Sequence, residues 1–302
     1  MFFFFYLGLF VMIIFILQAV AFLTLLERHF LGGSQCRIGP NKVGYSGIFQ
    51  AVFDGLKLIK KEQLFLCYSS WFSFLFMPMC GFILMVFFWF TLPYFFVFFS
   101  FEYSGVFLFC LMGVSVYFVM FSGIFSGGGY AFLGSLRSCC QSYSYEIAFS
   151  IYFLVFLLFN KSLSLFSSFC LFFFLFFFPF FCLVLVDLYR APFDFSECES
   201  ELVSGFNVEY SGVGFAVLFL GEYGNLLYFS FLMSSLFFNM SFFFFYFIVC
   251  LIVFSRSAYP RFRFDMLMSL CWLWFLPVGF YFFGMSFLVF LFCLFSLIFS
   301  MM

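Results

Sequence analysis

Long apolar runs constrain this chain more than any other feature. Residues 2–26 contain no charged side chain and are long enough to cross the roughly 30 Å apolar core of a bilayer as one helix. Seven further apolar runs lie at about 69–92, 104–125, 138–159, 168–189, 213–236, 241–255 and 276–300. Hydrophobic residues make up 67% of the chain and charged residues 8%, more apolar surface than a soluble core needs. The sequence therefore predicts an all-α membrane protein with eight transmembrane helices, a single polytopic domain over residues 1–302 without a separate soluble domain.

The distribution of positive charge predicts the orientation of these helices. With eight spans, the odd-numbered loops cover residues 27–68, 126–137, 190–212 and 256–275. These loops hold every Lys and Arg residue except Lys161. Because cations accumulate on the side from which a membrane protein is inserted, we expect the four loops to share that side.

Residues 48–61 have the pattern of an amphipathic helix. The polar stripe consists of Gln50, Asp54, Lys57 and Lys61, and Ile48, Val52, Leu56 and Ile59 face the other way. Such a helix should lie along the membrane surface. It is either a simple anchor, or its polar stripe lines a cavity shared with a partner.

Several classes of function are disfavoured by the composition. The 12 cysteines include no pair at C-x-x-C spacing, and His29 is the only histidine, so the sequence predicts no metal site. The glycines at 127–129 lack the pattern of a phosphate-binding loop. No basic tract suggests binding to nucleic acid. Any redox group must belong to a partner.

Acidic residues are concentrated between residues 187 and 209, which hold six of the 13 in the chain. If residues 194–201 form a helix, Asp194, Glu197 and Glu201 share one face. Carboxylates at such a short separation repel one another and titrate as a coupled set. Such a set is suited to proton transfer. The alternative is a solvated acidic loop with scattered salt bridges.

Three acids lie within the apolar spans or at their edges. Glu146 and Glu222 lie inside spans, and Asp187 lies at the end of another. A charge at membrane depth costs about 2.5–3.5 kcal/mol on insertion scales, so such residues usually mark ion or proton paths. Asp187 could instead pair with Arg190, which follows it at i+3.

Three strings carry a resemblance to a known family. They are "ERHFLGGSQCRIGPNKVG" at 27–44, "RAPFDFSECESELVSGFNVEY" at 190–210 and "RSAYPRFRFDMLM" at 256–268. In these strings and along nearly its whole length, the chain resembles subunit 1 of mitochondrial NADH:ubiquinone oxidoreductase, respiratory complex I. The resemblance implies a multi-pass protein of the mitochondrial inner membrane with structured loops on the matrix side.

The resemblance also implies roles for particular residues. A chamber for the substrate quinone would be lined by Arg28, Arg37, Asp54 and Phe219. A proton path leading away from it would consist of Glu146, Asp187, Glu197, Glu199, Glu201 and Glu222. The loops and neighbouring subunits would be held by Arg137, Arg190, Arg256, Arg261, Arg263 and Asp265.

The resemblance places this chain in a larger enzyme. It would be a subunit of a proton-translocating NADH:ubiquinone reductase and would contact other membrane-arm subunits, peripheral-arm subunits and lipids. NADH, FMN and iron–sulphur clusters, including the cluster that reduces the quinone, would belong to partner subunits. His29 departs from the usual Lys of the family, and Asp187 is shorter than the Glu of many members.

Two alternatives remain open at this point. A related subunit occurs in proton-pumping membrane-bound hydrogenases, but the strings around Arg28 and Asp54 favour the quinone enzyme. A stand-alone ion transporter or channel is the other, although no internal repeat supports it.

Overall fold

The computed structural model describes residues 2–64, 70–94, 101–165, 174–195 and 205–301, with side chains described from residue 6 to residue 292. All regular structure in these ranges is helical. The helices are α1 (Phe2–Ser34), α2 (Gln50–Lys60), α3 (Trp71–Phe90), α4 (Ser104–Phe125), α5 (Gly129–Asn160), α6 (Phe174–Asp187), α7 (Gly212–Phe238), α8 (Phe242–Ala258), α9 (Phe264–Leu270) and α10 (Leu276–Met301). Short 3-10 turns cover Tyr45–Gly47 and Gly205–Asn207, and the π-helical segment Cys271–Phe275 joins α9 to α10.

Most of these helices suit a membrane. In the described ranges, six helical stretches are long and apolar enough to cross a bilayer. They are Tyr6–Ser34, Trp71–Phe90, Ser104–Phe125, Gly129–Asn160, Gly212–Phe238 and Phe264–Phe292. The apolar helices α6 and α8 are shorter, with 14 and 17 described residues. The all-helical membrane fold is confirmed, and the number of eight transmembrane helices stays a prediction.

Two helices begin earlier than hydropathy predicts. The predicted loop 126–137 is mostly the first part of α5, and the second half of the predicted loop 256–275 is α9 with the π-helical segment. The start of α5 is polar, but its serines satisfy their hydroxyls locally. Ser135 donates to the carbonyl of Phe132 at 2.9 Å, and Ser138 to that of Ser135 at 2.9 Å. Polar side chains can therefore be buried there without cost to the helix.

Helix α5 lies at the centre of the fold. It packs against α4, α6 and α10, and α7 packs on α3 and α8. Aromatic rings fill the interior. The ring centres of Phe149 and Phe180 are 5.1 Å apart, and those of Phe156 and Phe237 are 5.0 Å apart. Helix α4 approaches α5 so closely that a Cβ atom on Gly123 would collide with the Cβ of Ser135. Small residues allow such contacts between membrane helices.

The amphipathic helix lies close to its predicted place. Helix α2 packs on α1 and α7, and Ala51 is its buried residue. Its apolar side chains Val52, Phe53 and Leu56 remain exposed on the chain. An exposed apolar face on a polar helix suits contact with the membrane surface.

Candidate functional site

A cavity between helices brings three predicted site residues together. It is enclosed by α3, α4, α5, α7 and the end of α6, with a volume of about 110 Å³. Glu146 reaches it from α5, Asp187 from the end of α6 and Glu222 from α7. These residues are far apart in sequence, and their convergence is a property of the fold. We call this space the acidic cavity.

The walls of the acidic cavity combine apolar and polar groups. Met85, Phe88 and Met112 are among the apolar lining, and Ser115, Ser142, Tyr189 and Asn225 are among the polar lining. This volume is enough for several water molecules, since one needs roughly 10–15 Å³ of such space.

Two side-chain oxygen atoms in this wall are shielded from solvent. Within the described residues, neither Oδ2 of Asp187 nor Oδ1 of Asn225 has a hydrogen-bond partner. Buried polar atoms are normally satisfied, and water in the cavity would satisfy both. Carboxyl groups connected by water can exchange protons along the cavity.

The position of Glu146 depends on a small residue in the neighbouring helix. A Cβ atom on Gly113 of α4 would lie 3.3 Å from Oε1 of Glu146. The glycine therefore leaves room for the carboxyl group between α4 and α5.

A second group of charged residues lies beside the acidic cavity. Glu27, near the end of α1, is buried and forms an ion pair with Arg256 of α8. The hydroxyl of Tyr223 donates to Oε2 of Glu27 at 2.8 Å. The guanidinium of Arg190 lies over the Tyr223 ring, 4.3 Å from its centre, within the range of a cation–π contact. We call these four residues the charged cluster.

The charged cluster adjoins the acidic cavity along the chain. Tyr223 follows Glu222, and Arg190 follows Tyr189, which lines the cavity. Arg190 and Arg256 were predicted only as residues that hold loops, and Glu27 and Tyr223 were not predicted as site residues. The i+3 spacing suggested Asp187 as a partner of Arg190. In this structure Arg190 contacts Tyr223.

The predicted quinone-chamber residues are only partly brought together. Arg28 and Asp54 form an ion pair between α1 and α2, with 2.7 Å between Nη1 and Oδ2, and both side chains are about half exposed. The centre of the Phe219 ring lies 6.2 Å from that of Tyr223, a member of the charged cluster. Glu27 of the same cluster precedes Arg28 in the chain. Arg37 lies after α1, where its Nε donates to Oε1 of Gln35 at 2.9 Å. Within the described residues, no side-chain hydrogen bond or ion pair joins Arg37 to the other three.

The segment after α6 is held by the segment before α9. Nη2 of Arg261 lies 3.7 Å from Oδ2 of the buried Asp194. The backbone N–H of Phe262 donates to the carbonyl of Pro192 at 3.0 Å, and the Phe262 ring stacks on that of Phe193 at 5.3 Å. Asp194 thus forms a salt bridge. This agrees, for Asp194, with the alternative interpretation of residues 187–209 as an acidic loop with scattered salt bridges.

Other predicted residues have varied positions. Arg263 pairs with Asp265 at 3.2 Å on the exposed surface. Arg137 lies within α5 and not in a loop. The acids Glu197, Glu199 and Glu201 lie outside the described residues.

The segment before α7 is fixed by Tyr210. Its ring stacks on Phe74 of α3 with 4.3 Å between centres, and its hydroxyl donates to the carbonyl of Ser122 at 3.1 Å. Burial raises the pKa of Tyr210, so the hydroxyl keeps its proton and its role as a donor. No cluster of three or more metal-binding side chains occurs in the described part of the chain.

Comparison with known proteins identifies the family. Residues 7–287 match the family model described as NADH dehydrogenase. The chain is 40% identical to NADH-ubiquinone oxidoreductase chain 1 of Anopheles gambiae, over 92% of this chain and 95% of the relative. It is 41% identical to the same protein of Artemia franciscana, over 90% and 94%, and 41% identical to that of Locusta migratoria, over 95% and 97%. The chain therefore belongs to the NADH dehydrogenase family.

Proposed function

We propose that the chain is a membrane subunit of a proton-pumping NADH:quinone oxidoreductase of the mitochondrial inner membrane. The relatives are named for that enzyme and are matched over almost their full length. The names favour this assignment over a hydrogenase subunit or a stand-alone transporter. NADH, FMN and iron–sulphur clusters would then be bound by partner subunits, and the positively charged loops would face the matrix.

The acidic cavity is the observation that carries the proposed mechanism. Reduction of a quinone consumes protons as well as electrons, so groups near the quinone must supply protons and be reprotonated. Glu146, Asp187 and Glu222 are carboxyl groups on one polar cavity. They can accept and release protons in turn, with water between them. Glu197, Glu199 and Glu201 would extend this path towards the quinone.

The quinone would be bound on the side of the cavity where the charged cluster lies. The Arg28–Asp54 pair offers a donor and an acceptor to a quinone head group, and Phe219 offers an aromatic surface. Arg37 would join them in a chamber completed by partner subunits. The loops would contact the peripheral-arm subunits, and the outer helices other membrane-arm subunits and lipids.

Replacement of Glu146 tests the proton path. Glu146→Gln keeps the shape of the side chain but cannot ionise. We expect the enzyme complex to assemble and to oxidise NADH with an artificial acceptor at the normal rate, because that reaction uses other subunits. Quinone reduction and proton pumping should fall together by about tenfold or more, as for loss of a general acid–base group.

Glu102→Gln is the matched control. Glu102 is an exposed glutamate outside the acidic cavity, so the variant should behave as the parent. Normal pumping with Glu146→Gln, in both rate and ratio of protons to electrons, would show that the carboxyl group is structural. Purification of the chain with iron–sulphur subunits and NADH:quinone activity would separate the proposal from a transporter that is isolated alone.

A further inference from the structure

We infer that the hydroxyl of Tyr189 is a further proton-relaying group of the acidic cavity, placed between Asp187 and Glu146. This inference rests on the proposed proton path and adds to it a residue without a carboxyl group. Tyr189 lines the cavity together with both acids. It did not stand out in the sequence, because a tyrosine beside an apolar span is an ordinary residue.

The backbone turns the Tyr189 side chain towards the cavity at some cost. Tyr189 lies two residues after the end of α6 and has a φ angle of 49°, in the left-handed region that favours glycine or asparagine. Its N–H donates to the carbonyl of Val186 at 3.1 Å, which closes the last turn. A bulky residue in this conformation is unfavourable and is often found where function requires it.

Tyr189 and Ser142 of α5 line the same cavity. The Ser142 hydroxyl donates to the carbonyls of Ser138 at 2.9 Å and Cys139 at 3.1 Å, so its oxygen can accept a hydrogen bond from the cavity. Ser142 lies one turn before Glu146, so both side chains are on the same face of α5. Asp187 also lines this cavity, so Tyr189 shares one space with both carboxyl groups.

A hydroxyl in this place can transfer a proton without changing its own charge. The phenol oxygen accepts a proton from the Asp187 side while its own O–H bond breaks, and the released proton passes towards Glu146. The phenol is neutral before and after the step, and no oxidant or reductant is required. A tyrosine that only formed part of the wall would need its ring but not its hydroxyl.

Tyr189→Phe separates these two roles, because it removes the hydroxyl and keeps the ring. In the assembled complex, we expect normal NADH oxidation with an artificial acceptor and an unchanged KM for the quinone. The kcat of coupled quinone reduction should fall by about threefold or more, less than for a carboxyl group because water can partly replace a hydroxyl. The solvent deuterium isotope effect on kcat should rise, because the slowed step moves a proton.

Tyr228→Phe is the matched control. Tyr228 is buried, and its hydroxyl is hydrogen-bonded to that of Thr91 at 2.7 Å, away from the cavity lining. Its variant should keep the parental kcat and isotope effect. If Glu146→Gln lowers coupled activity but Tyr189→Phe keeps the parental kcat and isotope effect, the relay by Tyr189 is wrong and the proton path stands. If neither variant has an effect, the proposed path itself is wrong.

Discussion

The carboxyl group of Glu27 shows how one buried charge can organise a site. Only 5% of Glu27 is exposed, and an isolated carboxylate would be costly there. Arg256 and the hydroxyl of Tyr223 compensate for this cost. The charged cluster therefore fixes the last two turns of α1, the middle of α7 and the end of α8 relative to one another.

Glu27→Gln should destabilise this arrangement. The variant leaves the partly buried Arg256 without its counter-ion, and loss of one partner of a buried pair typically costs about 3–5 kcal/mol. The lower end of this range applies here, because the Arg256 side chain is partly exposed to solvent. We expect less assembled complex and a lower temperature of thermal inactivation.

The double variant Glu27→Gln with Arg256→Gln distinguishes the ion pair from other effects. If the pair is responsible, removal of both charges should recover part of the lost stability. Equal stability of the parent and Glu27→Gln would contradict the structural role of Glu27.

Sequence reasoning found the residues whose chemistry conflicts with their surroundings. Glu146 and Glu222 are acids in apolar spans, which is a local signal, and both line the acidic cavity. Their role in proton transfer stays a prediction. Glu27 was missed because it stands at the edge of a span like an ordinary loop residue. Its partner Arg256 is 229 positions away, a separation that no local pattern can bridge.

The helices were predicted best where hydropathy alone decides. The run 104–125 coincides with α4, and the amphipathic pattern 48–61 contains α2. The beginning of α5 was missed because polar residues there are buried by tertiary contacts. Ser135, in the missed part, is fully buried where Gly123 of α4 packs against it. A hydropathy window cannot anticipate partners from another part of the chain.

The close packing of α4 on α5 gives a prediction at the level of helices. In Gly113→Ala, the new Cβ atom would lie 3.3 Å from Oε1 of Glu146, so the carboxyl group must shift by a few tenths of an ångström. Alanine also favours a helix over glycine by roughly 0.5–1 kcal/mol. We therefore expect unchanged or higher thermal stability but slower coupled quinone reduction, measured in the assembled complex.

Gly284→Ala in α10 provides the comparison. A Cβ atom at Gly284 would have no neighbour within 4 Å, and this glycine is not part of the cavity lining. The variant should keep the parental rate. Equal rates in Gly113→Ala and the parent would mean that the position of Glu146 does not limit proton transfer.

At the scale of the whole molecule, two sites with different chemistry adjoin each other. The acidic cavity lies among the helices, and the charged cluster joins α1 and the end of α8 to the middle of α7. The segment 188–195 belongs to both, since Tyr189 lines the cavity and Arg190 contacts Tyr223. A change that displaces this segment should therefore affect both sites together.

Arg261, which precedes α9, holds the segment 188–195 through its ion pair with Asp194. The neighbouring Arg263 allows a comparison between a buried and an exposed ion pair. Arg261 pairs with the buried Asp194, whereas Arg263 pairs with Asp265 and both of those side chains are more than 70% exposed. Exposed pairs contribute about 0–1 kcal/mol, so Arg263→Glu should not alter the fold of the subunit. Arg261→Glu places a second carboxylate beside Asp194 and should displace the segment.

We expect Arg261→Glu to lower the amount of assembled complex and the quinone reductase activity of what assembles. If the loops contact the peripheral arm, Arg263→Glu should weaken its attachment while the membrane arm remains intact. Native electrophoresis, with NADH oxidation measured in each band, distinguishes loss of the subunit from loss of the arm. Normal assembly and activity in Arg261→Glu would contradict the role of this ion pair. A second carboxylate beside the buried Asp194 would repel it and should displace the segment.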